Sequence, residues 1–327
     1  MSHRESAVNP LRPAILAAAG STRMKRAITG FPVTAEVVHR FVAGESRAEL
    51  APVVADLLGS GRSVSVDFLG EYTTERPMAD DAVAEYLALM DELAQWNRWA
   101  NGPSGWSVAP VEVSVKLSAL GQALGPEGPD IAAANLRTLC ARAEQAGVWI
   151  TVDAEDHTTT ATTEATVRNL RADHPWLAVA TQTYLRDAER RCAAAAAEGA
   201  RIRLCKGAYR EPESVAYQRS AEVDESYLRC LELLMGGSGY PMVATHDPVM
   251  IAAADHMAGQ NGRVPGDFEF QMLHGIRSIE QHRLVEAGHS VRVYVPYGTQ
   301  WYGYLMRRLA ERPANLGFFL RALTERR

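Results

Sequence analysis

The chain has 327 residues, a formal net charge of -5 and an aromatic content of 7%. That length suits one eight-stranded α/β barrel, which takes roughly 250 residues, with an extra arm. The acidic balance excludes an electrostatic case for nucleic-acid binding, although Arg4, Arg12, Arg23, Lys25 and Arg26 make the first stretch locally basic.

The first 60 residues carry three helical patterns, RPAILAAAGSTRMKRAI, TAEVVHRFV and AELAPVVADLLGSG, and are expected to form a helical arm packed on a barrel spanning 61–327. The run PAILAAAG lacks a signal-peptide layout, and no stretch reaches the roughly 20 apolar residues of a membrane span, so a soluble protein is expected. From residue 62 onward, short β-branched runs alternate with longer helical patterns. The strand candidates are SVSVDFLG (63–70), VEVSVKL (111–117), VWITVDAE (148–155), LAVATQT (177–183), RIRLCKGAY (201–209), MVATHD (242–247), FEFQMLHG (268–275) and VRVYVPY (291–297). Eight strands followed by helical segments predict an α/β fold of the closed (β/α)8 TIM-like type rather than an open sheet. Between them, DDAVAEYLALMDELAQWNRWA and AANLRTLCARAEQAG repeat apolar residues at helical spacing, and Gly147, Gly199 and Gly288 stand where helix C-caps are expected. The four cysteines, Cys140, Cys192, Cys205 and Cys230, show neither CxxC pairing nor metal-ligand spacing, which suggests reduced thiols in a cytoplasmic protein.

Barrel enzymes carry their chemistry at the C-terminal ends of strands. Here those ends are polar: Asp67 and Glu71, Lys116, Asp153 and Glu155, Gln182, Arg203 and Lys206, Thr245 and His246, Gln271 and His274, and Tyr294. Buried polar groups need partners, so so many together predict a polar ligand in the mouth. Basic and amide groups dominate, which suits a cofactor with phosphate and an electron-rich heterocycle, yet neither GxGxxG nor GxxxxGK[ST] is present. His246 and His274 lack the spacing of a metal site, and none is expected. Lys116 or Lys206 could form a Schiff base, an aldolase-type alternative. Beyond the last strand, Arg307 and Arg308 are adjacent, with Tyr304 one helical turn before and Glu311 one turn after. Two planar guanidiniums read as a carboxylate clamp for a small amino or hydroxy acid. A barrel that binds an amino acid without catalysis would keep the same clamp.

The segments VSVKLSAL (ending at Leu120), VDAED, RLCKGAYREP, ATHD, FQMLHG, YVPYG and YLMRRLAERPAN resemble, in order and spacing, those of the proline dehydrogenase family over roughly residues 10–320. The resemblance is to the short monofunctional bacterial form, related to the proline dehydrogenase domain of proline utilization A. It implies a last helix lying over the barrel mouth and a non-covalent FAD at the strand ends, near Asp153, Ala154, Gln182, Arg203, Lys206, Gly207, Ala208, Thr245, His246, Gln271, His274 and Glu311. It implies L-proline held by Lys116, Leu204, Tyr209, Tyr294, Tyr304, Arg307 and Arg308, with Glu71 as a gate that pairs with the first clamp arginine. Asp153 and Arg203 would serve the redox step.

The implied reaction is oxidation of proline to 1-pyrroline-5-carboxylate, with electrons passed to a membrane quinone and product passed to a separate pyrroline-5-carboxylate dehydrogenase. The implied location is cytoplasmic, with peripheral contact at the inner membrane face. Three positions depart from the family pattern: Cys205 in RLCKGAY, Asp247 in THD and Arg312 in RRLAER.

Overall fold

In each barrel strand the side chains alternate between two faces, and here the faces differ in kind. Val64 and Val66, Val111 and Val113, Ile150 and Val152, Ile202 and Leu204, Phe270 and Met272, and Val291 and Val293 form one face, all buried. The intervening residues, Ser65, Asp67, Glu112, Ser114, Thr151, Asp153, Arg201, Arg203, Glu269, Gln271 and Arg292, are polar and buried as well. The computed structural model describes residues 40–70, 73–96, 108–302 and 304.

Among these residues, α1 (Arg47–Gly59) precedes β1 (Ser63–Phe68), α2 (Arg76–Ala94), β2 (Val111–Val115), α3 (Gly128–Ala146), β3 (Trp149–Val152), α4 (His157–Leu170), β4 (Ala178–Gln182) and α5 (Ala188–Ala197). Then come β5 (Arg201–Cys205), α6 (Ser220–Gly236), β6 (Tyr240–Ala244), α7 (Pro248–Gln260), β7 (Glu269–Leu273), α8 (Ser278–Glu286) and β8 (Val291–Tyr297). All eight strands are parallel and close in sequence order, with β1 paired to both β2 (Ser65 with Glu112) and β8 (Ser65 with Tyr294). The expected (β/α)8 barrel is therefore present.

The apolar core lies between strands and helices. On α2, Ala79, Ala82, Tyr86, Leu89, Met90 and Leu93 recur at helical spacing and are buried against the sheet, where Tyr86 also donates to the Ser114 carbonyl at 3.0 Å. A fully buried valine or leucine of this layer contributes about 1.5–3 kcal/mol relative to exposure. From α1, Leu50, Val54 and Leu57 enter the same core, so this part of the N-terminal stretch packs on the barrel. Just before α1, the Ala43 N–H donates to the Pro296 carbonyl and Gly298 donates to Gly44, both at 2.9 Å, tying the chain to the end of β8. α3 stops at Gly147, whose φ of 67° is left-handed and favours glycine.

Most strands end earlier than their sequence patterns. β5 stops at Cys205 and β7 at Leu273, where polar residues continue into loops after the hydrogen-bond ladder has ended. β6 begins two residues before the expected MVATHD, at Tyr240.

Candidate active site at the barrel mouth

Lys116, Asp67, Asp153 and Tyr294 meet at the C-terminal end of the barrel. The Lys116 ammonium donates to both carboxylate oxygens of Asp67 at 2.9 Å and to the Tyr294 hydroxyl at 3.3 Å, with Asp153 at 3.5 Å. Tyr294 in turn donates to Asp153 Oδ2 at 2.8 Å, and Ser114 donates to Asp153 Oδ1 at 2.8 Å. Burial pushes the Asp153 carboxyl up, but Arg203, Lys116 and the hydrogen bonds from Tyr294 and Ser114 outweigh it and hold the group below the usual carboxylate range. Burial, with Asp153 and Asp67 nearby, drives the Tyr294 phenol well above its ordinary value, so it remains a donor at neutral pH. Tyr304 is buried and lies close enough to oppose the ionisation of Tyr294 too.

Arg203 has a partner for every direction of its fork. Nε donates to Gln271 Oε1 at 2.6 Å, Nη1 to Ser114 Oγ at 2.6 Å and to Asp153, and Nη2 to Ser65 Oγ at 2.9 Å and Glu112 Oε1 at 2.8 Å. Below this level is a second ionic tier. Glu112 also accepts from Arg201 at 3.0 Å, while Glu269 accepts from Arg292 at 2.7 Å and from Gln271 Nε2 at 2.6 Å. Burial works against the charge of Glu112, yet Arg292, Arg203, Arg201 and the Ser65 hydroxyl lower its carboxyl to about 2.

The rim is built from loops. Lys206 pairs with Asp224 at 2.5 Å and Asp247 at 2.9 Å; Asp247 also caps α7 by accepting from the Val249 N–H, so this departure from the family pattern has two structural partners. Thr245 accepts from the Asp247 N–H at 3.0 Å. His246 Nε2 accepts from the Leu273 N–H at 2.9 Å, which leaves the proton of a neutral ring on Nδ1. His274, half-buried, donates its backbone N–H to the Tyr294 carbonyl at 2.9 Å. Gln182 is buried, and its Oε1 has no hydrogen-bond partner among the described residues. Gly207 has a φ of 101°, and a Cβ there would fall on the ring of Tyr184. The Tyr184 hydroxyl bonds the buried Glu211 at 3.3 Å, Glu211 also holds His157, and Tyr209 packs against the same Tyr184 cluster. Ala154 and Ala208 are half-buried in the loops after β3 and β5.

Leu204 does not join this group. Its neighbour Arg203 points into the barrel, so alternation turns Leu204 outward, where it is fully buried in the core between strands and helices. Glu71, Arg307, Arg308 and Glu311, as well as Arg312, lie outside the described residues.

Asp67 had been legible only as a polar strand end, yet it is the bidentate partner of Lys116. No motif in the sequence marks the lower tier. Its signal was present as charged residues two positions before the site residues: Glu112 before Ser114, Arg201 before Arg203, Glu269 before Gln271 and Arg292 before Tyr294.

The family model for proline dehydrogenase matches residues 52–321. The chain belongs to the proline dehydrogenase family. It is 31% identical over 287 residues to proline dehydrogenase 2 of Bacillus subtilis strain 168, covering 88% of this chain and 90% of that protein. Against the proline dehydrogenase of Deinococcus radiodurans the identity is 35% over 293 residues, with 88% and 90% covered. The proline dehydrogenase match extends to the bifunctional protein PutA of Escherichia coli K12, 29% identical over 320 residues, of which the chain spans only 24%. Among solved structures, proline utilization A from Bdellovibrio bacteriovorus inactivated by N-propargylglycine aligns with a TM-score of 0.79 and 26% identity over 90% of this chain and 36% of that one.

Proposed function

We propose that this protein oxidises L-proline to 1-pyrroline-5-carboxylate with non-covalent FAD and passes the electrons to a membrane quinone. The observation that carries the reading is family membership over most of the chain, with relatives named proline dehydrogenase that it spans almost fully. The polar mouth described above supports it.

The residues present fit a flavin. The buried Gln182 Oε1 lacks a donor, and the pyrimidine edge of an isoalloxazine carries an N–H that can supply one. Gly207 keeps its backbone free of a side chain beside Tyr184, as close approach of a cofactor requires. Lys206, Thr245, His246, Gln271, His274, Ala154 and Ala208 complete the proposed cofactor shell, with Glu311 from the segment that follows β8. No Cys or His stands in a recognised attachment motif, so the flavin is non-covalent.

A bound FAD would supply the two-electron acceptor, taking both electrons from proline C5 as one hydride. The protein supplies position and charge. Arg307 and Arg308 hold the substrate carboxylate, assisted by Lys116, while Tyr294, Tyr304 and Tyr209 enclose the ring and Glu71 gates it. Arg203 provides the cation that favours charge on the reduced cofactor, and Asp153 keeps Arg203 and Tyr294 in register. Asp153 is held ionised and Tyr294 is held as a phenol, so neither is set up as a general base at neutral pH. Water at the barrel mouth is then the proposed acceptor of the amine proton.

Schiff-base chemistry finds no support in the geometry. Such a lysine must lose its proton easily, whereas Lys116 lies within 3.5 Å of Asp67 and Asp153, and Lys206 within 2.9 Å of Asp224 and Asp247. No helix among the described residues is long and apolar enough to cross a membrane, so quinone contact is proposed as peripheral, at the inner face of the cytoplasmic membrane. A separate dehydrogenase would consume the product.

The test is an anaerobic spectrum of the purified protein. A yellow chromophore released by acid and bleached on adding L-proline is expected; a colourless protein, or one that proline does not bleach, would refute the reading.

A further inference from the structure

We propose that Glu112, fully buried in the tier below the barrel mouth, is a positioning residue for the redox step: it fixes Arg203 and, against Arg201, sets the net charge beneath the cofactor. The inference rests on the flavin reading above. Its basis is the sharing of one carboxylate by two guanidiniums. Glu112 Oε1 takes Arg203 at 2.8 Å and Ser65 at 2.8 Å, while Oε2 takes Arg201 at 3.0 Å. Arg201 is itself anchored, with its guanidinium 4.1 Å from the centre of the Trp149 ring and bonded to the Trp176 carbonyl at 2.7 Å.

Glu112 therefore does two things at once. It fixes the lower edge of Arg203, whose upper edge meets Asp153 and Gln271. It also separates two like charges that would otherwise repel across a buried space with little water to screen them. A residue serving only to fill the barrel could be replaced by its amide with loss of stability alone. A residue that sets charge cannot, because each neutralisation changes the field at the mouth, and the sign of the change depends on which charge is removed.

That sign dependence supplies the test. In flavin-loaded Glu112→Gln, removal of a negative charge should favour reduced flavin about tenfold, the order that one unit charge exerts across about 10 Å at an effective dielectric of about 20. For a two-electron couple this is an upward shift in midpoint potential of about 30 mV. Arg201→Met removes a positive charge from the same carboxylate and should move the potential down. The measurement is spectroelectrochemical titration of wild type and both variants, with circular dichroism confirming the fold. Opposite shifts support the proposal. Potentials that stay at the wild-type value, or move in the same direction in both variants, would overturn it. A wild-type protein that binds no flavin sinks the proposed function itself, whereas flavin-loaded variants with unshifted potentials sink this inference alone.

Discussion

Asp67→Asn is expected to destabilise the folded protein by about 2–4 kcal/mol, because it strands the Lys116 ammonium in the barrel. Both carboxylate oxygens of Asp67 lie 2.9 Å from Lys116 Nζ, the Asp67 side chain is 0% exposed and that of Lys116 only 10%. Unit charges about 4 Å apart attract by about 4 kcal/mol at an effective dielectric of about 20. Two features reduce the loss: Asn retains one acceptor oxygen, and Asp153 stands 3.5 Å from the same ammonium. Lys116→Met alone leaves the Asp67 carboxyl buried without its cation, and is expected to be costly for the converse reason. The double variant Asp67→Asn/Lys116→Met removes both charges and should be less destabilised than the sum of the singles by about 2 kcal/mol. Urea unfolding followed by circular dichroism, at one saturating flavin concentration, measures all four corners of the cycle. If the two single effects add to within about 0.5 kcal/mol, the pair contributes no coupling and the reasoning fails.

Arg307→Met or Arg308→Met should each weaken proline binding by about 1.5–3 kcal/mol while flavin stays bound, as read by the apparent affinity for proline and the flavin spectrum. Gly207→Ala should lower flavin occupancy, since the residue has a φ of 101° and its Cβ would meet Tyr184, whereas Gly262→Ala, also at positive φ but with open space around the added Cβ, should leave occupancy near wild type in the same assay. For Glu112, the folded-state carboxyl lies near 2 against an ordinary 4.5, so its stabilisation is present above pH 4.5 and is lost as pH falls toward 2. Unfolding free energy of wild type should therefore drop more steeply over that interval than that of Glu112→Gln, by a total on the order of 3 kcal/mol; parallel curves would remove the linkage.

The barrel was legible because its strands alternate so regularly, and each of the eight strand candidates coincides with a strand. The less legible part was what the polar half of that alternation faces. A charged residue in a strand ordinarily indicates solvent, and in VEVSVKL or RIRLCK nothing local says otherwise. Only closure of the sheet turns Glu112, Arg201, Glu269 and Arg292 toward one another, and that pairing between distant segments leaves no mark in any single window. Barrel interiors are more often filled by branched apolar residues, which further hides such a tier. Leu204 shows the opposite case: it lies inside a motif rich in site residues, but alternation along β5 turns it to the face opposite Arg203. Lys116 and Asp153 were legible as strand ends, while the partner that fixes Lys116, Asp67, became specific only through the register of β1 against β2.

The interior also bears on why a proline site would need its clamp. Among the described strand residues that face the barrel interior, Lys116, Arg201, Arg203 and Arg292 are paired with Asp67, Glu112, Asp153 and Glu269, four cations against four carboxylates. A balanced interior has no surplus charge with which to attract an anion, and a substrate carboxylate entering it would give up water for a site already neutral. Lys116 can assist with a contact, but its charge is already matched by both oxygens of Asp67. On the proposed reading the missing positive charge comes from Arg307 and Arg308, the pair that the sequence provides after the last strand. On the proposed reading, the barrel positions the cofactor and the ring, whereas affinity for the carboxylate resides in the segment that follows β8. Loss of the clamp should then abolish proline binding yet leave the ionic interior, and the flavin it supports, intact.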